Sequence, residues 1–157
     1  MAEWAGEIAF IQITPNAGEK LVSVQEVRAV AGEGLEGDRY FKKIGTYSNR
    51  PGGGRQITLI ELESVEALKR DFKIVLEPTQ TRRNIVTRGV PLNHLVGRQF
   101  RIGRDVVLQG VRLCEPCDYL ESLTLNGVRA GLIHRGGLRA DIINGGIIRV
   151  GNRVTPA

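Results

Sequence analysis

The stretch "RQFRIGRDVVLQGVRL" (98–113) reads as two apolar-rich strands, 98–103 and 105–113, with Gly103-Arg104-Asp105 as a tight hairpin turn between them. Working outward, "NIVTRG" (84–89) is a strand of the same kind. "RQITLIE" (55–61), "KLVSVQEVRAV" (20–30) and "EIAFIQIT" (7–14) are further strand candidates, the last two alternating apolar and polar residues as half-buried strands do. Downstream, "LRADIINGGIIRVGNRV" (138–154) predicts a strand, an Asn-Gly-Gly turn and a second strand, a hairpin. Only "ELESVEALKRDF" (61–72) has clear helical spacing, in Leu62, Val65, Leu68 and Phe72. Its acidic residues come early and its Lys and Arg late, which suits the helix dipole. A second helix is expected around 117–125. Many short strands and few helices predict a mainly β, barrel-like domain.

At 157 residues the chain is read as a single domain, 1–157, large enough to bury a core. Its 25% charged and 41% hydrophobic residues are ordinary for a globular protein. No apolar run approaches the roughly 18–20 residues of a membrane span, and the N-terminus lacks a secretory pattern. A cytoplasmic address with no membrane partner is therefore expected, where cysteines are reduced. Between Thr79 and Arg104 stand six arginines (Arg82, Arg83, Arg88, Arg98, Arg101, Arg104) and no acidic residue. A solvated basic face explains such a run, and so does an anionic partner. Aromatic residues at 5% are too few for a single-strand nucleic-acid platform, so no nucleic-acid partner is expected.

Three further segments bear on chemistry. "AGEGLEGDRY" (31–40) has Gly32, Gly34 and Gly37 before Asp38 and Arg39, and lacks the P-loop pattern; "RPGGGRQ" (50–56) reads as a flexible loop with Arg50 and Arg55 at its mouth. "TRRNIVTRG" (81–89) brings two arginines and Asn84 into a strand, where guanidinium forks suit phosphate or carboxylate oxygens. In "HRGGLRA" (134–140), His134 and Arg135 offer donors, and Gly136-Gly137 permit close approach. Both cysteines, Cys114 and Cys117, lie in "RLCEPCDYLE" (112–121). A redox dithiol, half of a zinc site with His94 and His134, buried inert thiols, and a single working thiolate that binds metal or carries sulfur all remain open from the residues alone.

Taken in order, "GLEGDR" (34–39), "RQITLIELESVEAL" (55–68), "TRRNIV" (81–86), "LNHLVGRQFRIG" (92–103), "LCEPCDYLE" (113–121) and "HRGGLRADI" (134–142) resemble a MOSC domain. That domain occurs at the C-terminus of molybdenum-cofactor sulfurases and as stand-alone bacterial proteins. The similarity runs over about Gly6 to Val154. It implies a MOSC-type β-barrel with a few short helices and, as cofactor, a molybdenum-bearing pterin dithiolene. By motif, Cys117 falls on the position that ligates molybdenum or carries sulfur, while Cys114 falls on a variable one. Arg82 and Asn84 match the R-x-N element of the cofactor-phosphate site, Gly37, Asp38 and Arg39 the G-D-R element, and His134 and Arg135 the H-R-G element. Tyr40 stands where relatives often have His.

The resemblance implies a two-electron oxo-transfer reductase of N-hydroxylated compounds, fed by an external electron donor. Its alternative is a non-catalytic sulfur or cofactor carrier, with Cys117 as persulfide site and a sulfur-donor protein as partner. Pyridoxal phosphate belongs to the sulfurases' desulfurase portion, so it is not expected as a cofactor of a chain read as this single domain.

Overall fold

The computed structural model describes residues 3–41, 43, 45 and 53–157. In chain order the strands and helices are β1 (Gly6–Ile13), β2 (Val22–Val24), β3 (Glu26–Val30), β4 (Gly34–Leu35), β5 (Ile57–Glu61), α1 (Leu62–Phe72), β6 (Ile85–Arg88), β7 (Gln99–Ile102), β8 (Val106–Leu113), α2 (Asp118–Ser122), α3 (Val128–Gly131), β9 (Leu138–Asn144), β10 (Gly146–Arg149) and β11 (Arg153–Pro156). The main sheet runs β11-β7-β8-β9-β5-β6-β1-β2, and β11 also pairs with β1. That last pairing, Gly6 against Val154 and Glu7 against Arg153, closes seven strands into a barrel with β2 as an appendage. The mainly β, barrel-type fold expected from the sequence is what forms. No helix among the described residues is long and apolar enough to cross a membrane.

Strand alternation divides the core in two. Leu59 and Ile85 join the barrel interior with Phe100, Ile102, Leu108 and Leu138. Their neighbours Ile60 and Val86 face outward and pack with Val65 and Leu68 of α1, Leu120 of α2 and Val128 of α3. The alternation of period two is thus used on both faces of the parallel β5–β6 pair, with α1 as the crossover between them. Each such side chain taken out of water stabilises the fold by about 1.5–3 kcal/mol. The helix α1 ends at Lys73, whose left-handed backbone (φ 58°) lets its own N–H reach the Lys69 carbonyl and the Ile74 N–H the Leu68 carbonyl. Phe72, the last residue of the expected apolar face, is half exposed there.

Three local expectations are corrected. The tail does not form a hairpin: β9 pairs with β5 and β8, while β10 pairs with β3 in a separate three-stranded sheet. The glycines explain this, because a Cβ at Gly145 would stand 2.5 Å from the Ala29 carbonyl oxygen. They admit a crossing strand and do not make a two-residue turn. Residues 20–30 are two strands in two sheets, broken at Gln25. The second helix is shorter than expected and is followed by α3, for which no expectation was formed. The hairpin at 103–105 is present, with Ile102 paired to Val106. Of the 50–56 loop, residues 50–52 lie outside the described residues. Its far end is tied down by Arg112 on the Gly53 carbonyl (2.6 Å) and by Asp141 on the Gly54 N–H (2.7 Å).

A cationic cleft around two thiols

The site begins at a short 3-10 turn, Pro78–Thr81, before β6. Gln12 of β1 fastens this segment, its amide nitrogen donating to the carbonyls of Pro78 and Arg83 (2.8 Å for the latter). Arg82 then takes a left-handed backbone (φ 61°), so that consecutive arginines leave the chain in different directions. The Arg82 guanidinium is half-buried and donates to the Glu19 carbonyl (2.7 Å). Arg83 turns inward and is buried. Asn84, next in line, is fully buried and faces the strands: its carbonyl oxygen accepts from Thr58 N (3.2 Å) and Oγ1 (3.1 Å), and its amide donates to the Gln12 carbonyl (3.3 Å).

The loop after β4 supplies the second wall. Asp38 is fully buried and accepts from Thr14 N, Tyr40 N and the Arg39 guanidinium, the last at 3.1 Å. Arg39 also donates to the Arg82 carbonyl (3.3 Å), and its guanidinium carbon lies 4.7 Å from the centre of the Tyr40 ring. Gly37, in the left-handed region at φ 91°, makes the turn that aims these residues. Tyr40 thus acts as a platform for Arg39.

The third wall carries the sulfur. Cys114, at the end of β8, is buried, with its N–H on the Gly137 carbonyl (2.7 Å) and its own carbonyl accepting from Arg83 (3.1 Å). Cys117 is half-buried at the N-terminal boundary of α2, where its carbonyl accepts from Glu121 N. Neither cysteine is joined in a disulfide among the described residues. Among the described residues no three His, Cys, Asp or Glu side chains gather to hold a metal, whereas a structural zinc site uses four ligands.

These walls bound a partly open cleft, its roughly 410 Å³ of non-atom space running out into solvent, lined by Arg39, Tyr40, Thr58, Arg82, Arg83, Cys114, Cys117, Tyr119, Leu120 and Arg139. Among the described residues the lining has four arginines and no carboxylate. Burial, and then the charge of Arg39, hold the Arg82 guanidinium below its ordinary pKa. Arg82 is also a wall of a second cleft, with Lys20, Leu21, Thr79, Gln80 and Leu123.

Of the residues expected from sequence, Cys117, Arg82 and Arg39 converge on the cleft, with Asp38 and Gly37 behind them. Asn84 is turned into the strand layer. Arg135 reaches the Gly131 carbonyl (2.9 Å) and Asp71 (3.0 Å), away from the thiols. His134 is exposed; its backbone bonds Glu115 and Asn93. The close approach at Gly136 and Gly137 is to protein: a Cβ on Gly136 would meet the Cys114 carbonyl oxygen at 2.5 Å, and one on Gly137 would overlap that of Leu59. Arg139, Tyr119 and Thr58 were not anticipated. Arg139 stands in the "HRGGLRADI" stretch and Thr58 beside the helix signal, but only the barrel register brings them opposite each other.

A closed seven-stranded barrel carrying a half-buried cysteine in an arginine-lined cleft is the class of structure that the chain forms. A family model for the MOSC domain matches residues 43–155, and the chain belongs to that family, which is associated with molybdenum-cofactor sulfurase-like proteins. Among solved structures it resembles the YuaD protein from Bacillus subtilis (TM-score 0.80, 15% identity, 97% of each chain covered). It also resembles YiiM from Geobacillus stearothermophilus (0.70, 14%, covering 97% of this chain and 75% of that one) and YiiM from Escherichia coli (0.67, 18%, 96% and 69%). At these identities the likeness is one of fold. A comparison with curated proteins gives no match.

Proposed function

We propose that the protein binds a molybdenum cofactor, with the Cys117 thiolate as its ligand to the metal, and acts as a reductase of N-hydroxylated compounds. The observation that supports this reading is the lining of one cleft by the half-buried Cys117 and four arginines, with no lining carboxylate among the described residues. The donor set fits the group: a soft thiolate for the metal, and planar forked donors for a phosphate. Bound there, the cofactor supplies two-electron oxo transfer, with electrons delivered by an external donor.

The chain's own contribution is binding and orientation. Arg82, half-buried at the junction of two clefts, is the guanidinium best placed to meet a phosphate entering from solvent. Arg39 is held by Asp38 and by the Tyr40 ring, so its charge stays fixed while a ligand comes and goes. Cys114 is more deeply buried and anchored through both its backbone groups, which suits the wall of the site more than the ligand position.

A carrier role is the second reading, favoured by the half-open position of Cys117 in a cleft that adjoins another. In it the Cys117 thiolate attacks the outer sulfur of a donor protein's persulfide. The donor's S–S bond breaks, its thiolate leaves, and Cys117 keeps the sulfur with no net oxidation. Protein made in a host that synthesises the cofactor separates the two. The reductase reading expects molybdenum and pterin in stoichiometric amount, retained in Cys114→Ser and lost in Cys117→Ser, with turnover of an N-hydroxylated base by a chemically reduced dye. No molybdenum, together with a gain of one sulfur atom on Cys117, would establish the carrier instead. Equal behaviour of the two cysteine variants refutes the assignment of Cys117.

A further inference from the structure

We infer that Arg83 is a positioning residue of this site: its guanidinium fixes the Cys114–Cys117 turn against the start of β9 and thereby sets where the Cys117 thiol stands. The inference rests on the reading of Cys117 as the working sulfur. Arg83 is 8% exposed, and among the described residues no carboxylate pairs with it. A charge buried to that degree needs compensation. Three main-chain carbonyls provide it: Gly136 accepts from Nε at 2.9 Å, Cys114 from Nη2 at 3.1 Å and Thr81 from Nη1 at 3.4 Å.

These carbonyls belong to three segments that meet nowhere in sequence. One precedes β6, one opens the turn to Cys117, and one leads into β9. The base of the clamp is rigid, because the Arg83 carbonyl is itself held by Gln12 of β1. The far side is tight: Gly136 has no room for a Cβ beside Cys114 and Pro116, and Cys114 N bonds the Gly137 carbonyl. Cys117 follows three residues on, across Pro116, whose ring restricts the turn. Its helix α2 has only five residues and cannot by itself fix the thiol. The planar guanidinium reaches its three carbonyls from three separate nitrogens, Nε, Nη1 and Nη2, a spacing that the single nitrogen of a lysine does not reproduce.

The test uses the full apo-protein and iodoacetamide, at a pH where the alkylation rate no longer changes with pH, with Cys114 and Cys117 resolved by fragment-ion mass spectrometry. Arg83→Ala should speed Cys117 alkylation about tenfold, the scale of one lost charge-assisted bond. Added guanidinium ion, far below denaturing concentration, should return the rate toward wild type, and an equal concentration of sodium chloride should not. General destabilisation would show no such rescue. Arg83→Lys should remain fast. Gly136→Ala, which leaves Arg83 intact and forces the same junction apart, should also be fast, and decides the matter if Arg83→Ala does not fold. A wild-type rate in Arg83→Ala, Arg83→Lys or Gly136→Ala overturns the inference. So does a fast Arg83→Ala that guanidinium leaves unchanged. No cofactor enters the assay, so failure of the clamp and failure of the molybdenum reading are distinguishable.

Discussion

Replacing Asn84 by alanine separates what the motif resemblance implies from what the barrel does with the residue. In the wild type the side chain accepts from Thr58 N and Oγ1 and donates to the Gln12 carbonyl, all within the β1–β6–β5 layer. Asn84 is fully buried and Thr58 3% exposed, so water does not substitute readily. Alanine leaves the Thr58 N–H and the Gln12 carbonyl without this partner, whereas the Thr58 hydroxyl can rotate and already accepts from Asn84 N (3.0 Å). An orphaned buried group costs about 1–3 kcal/mol, so two cost about 4 kcal/mol. For a domain of this size each kcal/mol moves the thermal midpoint by about 2–4 °C, giving a fall of roughly 8–16 °C. The assay is thermal unfolding of the apo-protein, followed by circular dichroism, with no cofactor present. A midpoint within a degree or two of wild type, combined with lost cofactor retention, would refute the reasoning and return Asn84 to the ligand site.

Two other perturbations follow from the charges. Arg82→Ala removes a guanidinium that burial and the neighbouring Arg39 already disfavour. The apo-protein should therefore unfold at nearly the wild-type temperature, while cofactor retention on gel filtration falls sharply; a large loss of stability with unchanged retention would remove Arg82 from the binding role. Burial, and then the charge of Glu63, raise the pKa of Glu61 above its ordinary value of 4.5. A raised carboxylate means the folded state binds the proton more tightly than the unfolded chain. The associated stability is complete below 4.5 and is lost as pH rises through the folded value. Glu61→Gln should accordingly be more stable than wild type at pH 7 and lose that advantage in acid. A constant gap across a urea-denaturation series in pH would sink the idea.

The features legible in the sequence are those that depend on near neighbours. Val65 and Leu68 announce α1 because three- and four-residue spacings alone place them on one face. The 103–105 turn announces its hairpin because its partners are adjacent. Where a strand's partner is remote, the local signal misleads. Asn144-Gly145-Gly146 has the composition of a hairpin turn, yet Gly145 is small because the Ala29 carbonyl lies against it, more than a hundred residues earlier in the chain. The break at Gln25 is different, for it is written in the parity of the apolar residues. Val22 and Val24 are even, and the buried Val27 and Ala29 are odd. Such a parity change signals a strand that leaves one sheet for another.

The same distinction governs the site. A motif supplies residue types, and the topology then decides which of them reach the cleft. In "TRRN" the left-handed backbone at Arg82 parts three neighbours. Arg82 goes to the cleft mouth, Arg83 to the carbonyls beneath the thiols, and Asn84 to the strand layer. In "HRGGLRADI" the histidine and first arginine stay outside, the glycines admit the Cys114 turn, and the second arginine, Arg139, lines the cleft. The two cysteines divide in the same way. Cys114 is fixed by its backbone to Gly137 and Arg83, while Cys117 stands beyond Pro116 and is half-buried. The segments bearing the cysteines, Arg82 and the glycine crossing come together through main-chain carbonyls on one buried guanidinium. A carbonyl has no residue identity, so no motif could have disclosed that junction.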